Sequence, residues 1–217
     1  MACSDIGPRG TITDRVGRTL LSDAFNVAFS FELARTRRNA IQCDVMESLK
    51  IVFLSLGAGV FYGIVHDQVT VRICPEYFTV FHPPLLPVDF PAPLVALAWG
   101  VVATWWAGAI LGIALALAAR AGSRPKLTAR DVFPLIAWLL PVMAAAAVVF
   151  GVSGFLLANK GILVPPAWVQ SHLPLSRFPN FMADWWAHGA SYGAAFLGGA
   201  TLCVIAYRKR SGVPREA

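Results

Sequence analysis

The side chains best suited to chemistry are concentrated in one short stretch of this 217-residue chain. His66 and Asp67 stand together, and Glu76 and His82 follow, so that four ionisable groups fall within 17 residues. Another histidine, His188, lies far downstream. Imidazole nitrogen and carboxylate oxygen are good ligands for zinc, iron or manganese. One hypothesis is therefore a divalent transition metal bound by His66, Glu76, His82 and His188, although no compact motif such as HExxH is present.

Further polar residues accompany these candidate ligands: Asp67, Gln68, Arg72, Tyr77 and Asp184. A carboxylate beside a metal-binding histidine often orients the ring, which suits Asp67. A simpler interpretation is a hydrogen-bonded polar cluster that ends a helix, and a third is a path for ions or protons through His66, Asp67 and Glu76. We expect Asp184 near the start of a helix, where a carboxylate complements the positive end of the helix dipole.

The composition excludes an ordinary water-soluble domain as the scaffold for these residues. Hydrophobic residues make up 57% of the chain and charged residues only 14%, against roughly a quarter charged in soluble domains. Four apolar segments approach the roughly 20 residues that a helix needs to cross a bilayer: about 51–70, 94–119, 132–158 and 183–207. The predicted fold is all-α, a four-helix transmembrane bundle with proline-rich outer loops.

Basic residues predict how the bundle is oriented. Residues 120–130 carry four of them, and the tail after residue 207 carries another four, whereas the connections 71–93 and 159–182 contain three in total. The positive-inside rule then places both chain ends and the central loop in the cytoplasm of a bacterium, with the protein in its cytoplasmic membrane. No basic patch interleaved with aromatic residues indicates nucleic-acid binding. The expected partners are the lipid bilayer and either a second copy of the chain, which a four-helix carrier would need, or another membrane protein.

Helix geometry places the polar stretch inside the membrane. With a rise of about 1.5 Å per residue from residue 51, His66 lies about 22 Å along a span that must cover about 30 Å. Ionisable groups at such depth are usually functional. Small residues recur every four positions before Asp67 and also along the second span, which predicts close packing of these two helices: Ser55, Gly59 and Gly63, and Gly100, Thr104, Gly108, Gly112 and Ala116.

The first 45 residues form a polar segment with a different composition. They contain six arginines and one weakly apolar run at 20–31, and they lack the features of a signal peptide. Met46 directly precedes an apolar helix, which is an ordinary opening for a membrane protein. The predicted organisation is therefore a polar segment, 1–45, which is a mistaken extension if Met46 is the natural start, and a four-span domain, 46–217.

Residues 62–83 read YGIVHDQVTVRICPEYFTVFHP. They resemble the pattern YGxxHDQxTxRxxxEYFTxxHP of a family of uncharacterised small bacterial multi-span membrane proteins, and the resemblance extends from Met46 to about Arg130. It implies a small helical membrane protein and no particular activity. The function expected from the sequence is a binding or accessory membrane protein with a polar site at the outer ends of the first and fourth helices. Two alternatives are a metal-dependent membrane enzyme at that site and a small oligomeric proton-coupled transporter.

Overall fold

A computed structural model describes residues 12–83, 85–87 and 89–211, with side chains from residue 29 onward. Its regular elements are all helical: α1 (Ile12–Ile73), a π-helical turn (Tyr77–Phe81), α2 (Ala92–Val102), α3 (Trp105–Arg120), α4 (Ala129–Asn159), α5 (Ala167–Gln170), a 3₁₀ turn (Leu175–Arg177) and α6 (Phe178–Lys209). Among the described residues, four helical segments are long and apolar enough to cross a membrane: Phe29–Ile73, Ala92–Arg120, Ala129–Asn159 and Leu175–Lys209. The predicted all-α, four-helix bundle is confirmed, and the chain is a multi-pass membrane protein.

The chain divides into two units, Met1–Met46 and Glu47–Ala217. In the first, the described part is helical and leaves large apolar side chains exposed, among them Phe29, Phe31 and Leu33. The second unit holds all the candidate site residues. We call the end of this unit where α1 finishes and α6 begins the site end, and the end where α3 and α6 finish the basic end. Met46 as the natural start stays a prediction.

Small residues bring α1 against α2 and α3, as their spacing predicts. A Cβ atom added to Gly59 would lie 3.3 Å from the Cα of Gly108, and one added to Gly100 would lie 2.6 Å from the Cα of Ile64. Real Cβ atoms essentially never come within 3.0 Å of another atom, and a separation of 3.3 Å is already unusually tight. The predicted close packing of the first two spans is therefore confirmed. It fixes the position of the α1 face that ends at Asp67.

The second span is interrupted, which its sequence does not predict. Helix α2 ends at Val102 and α3 begins at Trp105. Such a break exposes backbone carbonyls, which must find donors away from water. Thr104 Oγ1 donates to the Gly100 carbonyl at 2.5 Å, and the Tyr192 hydroxyl donates to the Ala103 carbonyl at 2.7 Å. These two side chains stabilise the interruption.

Helix α6 begins earlier than predicted, at Phe178 instead of residue 183. Pro179 lies in its first turn, where a missing N–H costs no hydrogen bond. Asp184 consequently lies in the second turn and is fully buried. The expected role of Asp184 at the helix start is therefore wrong, because the dipole effect is confined to the first turn.

The basic end is fixed by hydrogen bonds to the ends of helices. Thr128 and Asp131 form the predicted capping box at the start of α4, with the Thr128 N–H donating to Asp131 Oδ2 at 2.8 Å. Arg210 is almost fully buried, and its guanidinium donates to carbonyls in and after the last turn of α3: Ala118 at 2.9 Å, Ala121 at 2.7 Å, Arg124 at 3.2 Å and Pro125 at 2.7 Å. The C-terminal carbonyls of α3 thus receive the donors that their own helix cannot supply.

Candidate functional site

Helices α1 and α6 bring three metal-ligating groups together at the site end. Ligand atoms of His66, Asp67 and His188 all lie within 4.8 Å of one another. The two helices are joined just beyond them, because the Ile73 carbonyl at the end of α1 accepts hydrogen bonds from Arg177 Nη2 at 3.2 Å and Asn180 Nδ2 at 3.1 Å. We call His66, Asp67 and His188 the triad.

The hydrogen bonds of His188 determine what its second nitrogen can do. Its Nδ1 lies 2.7 Å from the backbone carbonyl of Asp184. A carbonyl only accepts, so Nδ1 carries the hydrogen, and the neutral ring then leaves Nε2 as a lone pair. That Nε2 lies 3.2 Å from Asp67 Oδ1, which is also an acceptor. Two lone pairs repel at this distance unless a proton or a metal ion lies between them.

His66 completes the triad with a nitrogen that has no other partner. Its ring meets the ring of His188 edge to face at 4.5 Å between centroids. Its Nε2 is buried and has no hydrogen-bond partner among the described residues. A buried polar atom without a partner is unusual and costs free energy. The atom is therefore available to a ligand.

A small cavity of about 90 Å³ lies beside the triad. Its walls come from α1, α3, α4 and α6 and are mostly apolar, but Tyr62, Ser191 and Tyr192 also line it. The Tyr62 and Ser191 hydroxyls lie 2.8 Å apart. This volume is sufficient for several water molecules, since one needs about 10–15 Å³ on this measure. The triad therefore faces a space that a water molecule or a small reactant can occupy.

Glu76, a predicted ligand, is instead paired with an arginine. Arg177 Nε donates to Glu76 Oε1 at 2.9 Å, and Arg177 Nη2 donates to Oε2 at 2.7 Å. Partial burial acts to raise the pKa of Glu76, but the hydrogen bonds, above all those from Arg177, outweigh it and leave that pKa below its usual value. The carboxylate thus belongs to an ion pair between the end of α1 and the start of α6.

His82, another predicted ligand, also has a partner of its own. Its Nδ1 lies 3.0 Å from the Tyr77 carbonyl, and its ring packs 4.6 Å from the Trp99 ring. Burial lowers the pKa of His82, so the ring is neutral. The structure therefore brings together two members of the predicted ligand set, His66 and His188, adds Asp67, and gives Glu76 and His82 other contacts.

The remaining predicted cluster residues lie at two places. Gln68 and Arg72 hydrogen-bond to each other near the end of α1, and Gln68 Nε2 donates to the Pro93 carbonyl at 2.8 Å. Tyr77 stacks on His188 at 4.5 Å between ring centroids. Burial raises the pKa of Tyr77, which keeps its phenol neutral. Asp184 lies one turn before His188, and neither carboxylate oxygen has a hydrogen-bond partner in the described part of the chain.

The sequence did not single out three residues that complete the site end. Arg177 is one of the few basic residues on the predicted outer side, and this scarcity could have indicated a carboxylate partner. Ser191 and Tyr192 carry no such signal, because their contacts to Tyr62 and Ala103 depend on the rotation of α6 about its axis.

Comparisons with protein-family models, with curated proteins and with solved structures give no match to this chain. The resemblance of residues 62–83 to a family of bacterial membrane proteins accordingly stays a prediction.

Proposed function

We propose that this multi-pass membrane protein binds a divalent transition metal ion between α1 and α6, with His66, Asp67 and His188 as its ligands. The observation that carries the proposal is the 3.2 Å approach of His188 Nε2 to Asp67 Oδ1 while Nδ1 donates elsewhere. If each of these two atoms lies about 2.1 Å from an ion, the ligand–metal–ligand angle is about 100°. Such an angle suits tetrahedral or octahedral coordination. The ligand atoms that lie up to 4.8 Å apart need to approach each other by about 1–2 Å to reach such geometry.

The number of ligands favours a reactive metal site over a purely structural one. Structural zinc sites use four protein ligands, whereas catalytic sites use three and leave a position open for water or substrate. Here three protein donors border a cavity. A metal-dependent membrane enzyme is therefore better supported by this geometry than the binding or accessory protein that the sequence favours.

A second candidate function is proton-linked transport. The same contact is satisfied if His188 carries a second proton and forms an ion pair with Asp67. A pair of ionisable groups inside a membrane bundle is typical of proton pathways. Metal content separates the two candidates, because a proton-linked site needs no metal.

The basic residues support a location in a bacterial cytoplasmic membrane with the basic end inside. Exposed Arg124, Lys126 and Arg130 lie at this end with Arg208 and Lys209. Positive charge is enriched on the cytoplasmic side of membrane proteins. On this proposal the chain ends are cytoplasmic and the triad lies near the outer surface.

Metal content tests the proposed function directly. We expect protein purified without chelator to contain about one zinc, iron or manganese ion per chain. His188→Ala should lower the affinity for that ion at least about 100-fold, since even outer-shell changes cost 10–100-fold. His82→Ala is the matched control and should retain the metal, because its Nδ1 is bonded to the Tyr77 carbonyl. Elemental analysis and titration with the metal measure both.

Two outcomes would contradict this assignment. Metal-free wild-type protein whose thermal stability does not respond to added metal would exclude the site, because a ligand at 100 times its Kd stabilises by about 2.7 kcal/mol. Loss of metal in His82→Ala but not in an Asp67→Asn variant would favour the ligand set predicted from the sequence.

Orientation is tested with single cysteines in a cysteine-free background. Ser171 and Ser211 are exposed at opposite ends of the bundle. In intact cells we expect a membrane-impermeant maleimide to label Ser171→Cys and to label Ser211→Cys at least tenfold less. Equal labelling after membrane disruption is the control, and the reverse pattern in intact cells would invert the topology.

A further inference from the structure

A second, larger cavity opens between α1, α4 and α6. This cleft has a volume of about 610 Å³ and is lined almost entirely by apolar side chains. Small residues of α4 and α6 line it and leave space because they carry little or no side chain: Ala144, Ala147, Gly151, Ala183 and Ala187. Its rim consists of large exposed apolar residues, including Val65, Val69, Val148 and Val152. We call it the α1–α4 cleft.

Two polar side chains without partners line this apolar cleft. Asp184 is fully buried, and neither of its carboxylate oxygens has a hydrogen-bond partner among the described residues. The backbone N–H of Cys74 is close to this carboxylate but donates to the Thr70 carbonyl at 3.0 Å. His66, whose Nε2 is also unpartnered, lines the same cleft. Burying such groups is costly unless something supplies their hydrogen bonds.

The cleft lies within the membrane-spanning segments, so the molecules that reach its mouth are lipids. The charge of the site restricts which head group can enter. The described residues that line the cleft include no lysine or arginine. A phosphate or carboxylate head would therefore be buried without a counter-charge, which is costly, and a hydrocarbon without a head would leave the Asp184 carboxyl group unpaired. A hydroxyl is neutral and can both donate to and accept from a carboxyl group.

We infer that the α1–α4 cleft binds a long-chain alcohol from the bilayer, with its hydrocarbon chain along α4 and its hydroxyl at the Asp184 carboxyl group, beside His66. This assigns a substrate class to the proposed metal site and rests in part on it, because His66 belongs to both. The ligand would enter sideways from the membrane. Its polar end would then lie next to the triad and the small cavity.

The protein offers a built-in control for this inference. A second apolar groove of about 570 Å³ lies between α4 and α6 and is lined by Ala146, Phe150, Trp185, Trp186, Gly189, Ala190, Gly193, Ala194 and Leu197. None of these lining residues is an acid or a histidine. The two grooves therefore have similar size and apolar walls but differ in their polar groups.

The experiment uses the full chain in liposomes with a hexadecanol that carries a photoreactive diazirine and an alkyne tag. We expect cross-links that map to the walls of the α1–α4 cleft. Ala144→Phe, which fills this cleft, should reduce labelling at least fivefold, whereas Ala190→Phe in the other groove should leave it unchanged. With wild-type protein, hexadecanol should compete with the probe at least tenfold better than hexadecane or palmitate.

Three results would overturn the inference. They are equal competition by hexadecane, equal labelling of Ala144→Phe and wild type, and cross-links between two chains at the cleft, which would show a second copy there. Metal content and labelling of the wild-type protein separate the two proposals. Cleft labelling in wild-type protein that binds no metal would refute the metal site alone, whereas normal metal content without cleft labelling would refute only the lipid site.

Discussion

At the scale of single residues, the site end contains both satisfied and unsatisfied polar groups. Glu76, His82 and Gln68 all have partners at normal hydrogen-bond distance. His66 Nε2 and the Asp184 carboxylate have none in the described chain. Native proteins pair nearly all buried polar groups, so the exceptions mark where a ligand would bind.

The buried cysteine beside this site is not suited to act as a nucleophile. Burial, followed by the hydrogen bond from Cys74 Sγ to Glu76, raises the pKa of the Cys74 thiol to about 12. The thiolate is the reactive form of cysteine, and it is scarcely populated at neutral pH with such a pKa. Chemistry at the site end therefore depends on the triad.

Two residues outside the membrane-spanning segments predict how stability depends on pH. The pKa of His82 lies below its usual 6.5, and the pKa of Glu76 lies below its usual 4.5. In both cases the unfolded chain binds a proton at higher pH than the folded chain, so stability falls as the pH falls. We expect the free energy of unfolding in detergent to decrease below pH 6.5 and again below pH 4.5.

The matched variants measure how much each of these two residues contributes to the decreases. His82→Phe should cost about 1 kcal/mol at pH 8, because the Tyr77 carbonyl loses its donor, but it should flatten the decrease below pH 6.5. Glu76→Gln should flatten only the decrease at lower pH. Unfolding curves measured across this range check both, and unchanged slopes in either variant would disprove its assignment.

At the scale of elements, the sequence predicted the helices well and their irregularities poorly. The spans at 94–119 and 132–158 agree with the described helices within a few residues, because long apolar runs with few charges permit little else. The break at Ala103 and Thr104 was missed, because it depends on a donor, Tyr192, that a distant helix supplies. The earlier start of α6 was missed because Pro179 and Asn180 are typical of a loop.

The contact between α1 and α2 allows a prediction with an internal control. A Cβ on Gly63 would lie 2.5 Å from the Gly100 carbonyl oxygen, so Gly63→Ala should destabilise the protein by about 1–3 kcal/mol through overpacking. Gly57 lies on the same helix, and a Cβ there meets no described atom within 4 Å.

Gly57→Ala should be neutral or raise stability by up to about 1 kcal/mol, because alanine is the better helix former. Thermal unfolding of both variants in the same detergent makes the comparison. Equal effects of the two substitutions would show that α1 and α2 are not in close contact.

At the scale of the whole molecule, the candidate site was only partly predictable. Depth and topology indicated that His66 and His188 meet, and the structure brings them together. Which other residues join them depends on side-chain directions, and Glu76 turned towards Arg177 and away from the triad. Sequence spacing places residues on helix faces but does not decide between competing partners.

Arg210 links two parts of the bundle at the basic end, so its substitution should affect the stability of the whole protein. Its guanidinium joins the end of α6 to the end of α3 and the following loop. Arg210→Gln should lower the free energy of unfolding by about 3 kcal/mol, since charged hydrogen bonds are worth about 1.5–3 kcal/mol each and partners remain buried. Arg208→Gln, which changes an exposed arginine on the same helix, should have an effect within about 0.5 kcal/mol. Denaturant unfolding compares the two, and similar losses would refute the bridging role.

The glycine contacts of α1 also constrain how this sequence can change over evolutionary time. Gly63 fits only because the opposing helix offers the Gly100 backbone and the small Thr104 side chain. A larger residue at position 63 requires the two helices to move apart, and this would also displace Asp67, which lies one turn further along α1. Substitutions at this interface are therefore coupled to the geometry of the triad. A lineage that loses its need for the site should lose these glycines as well.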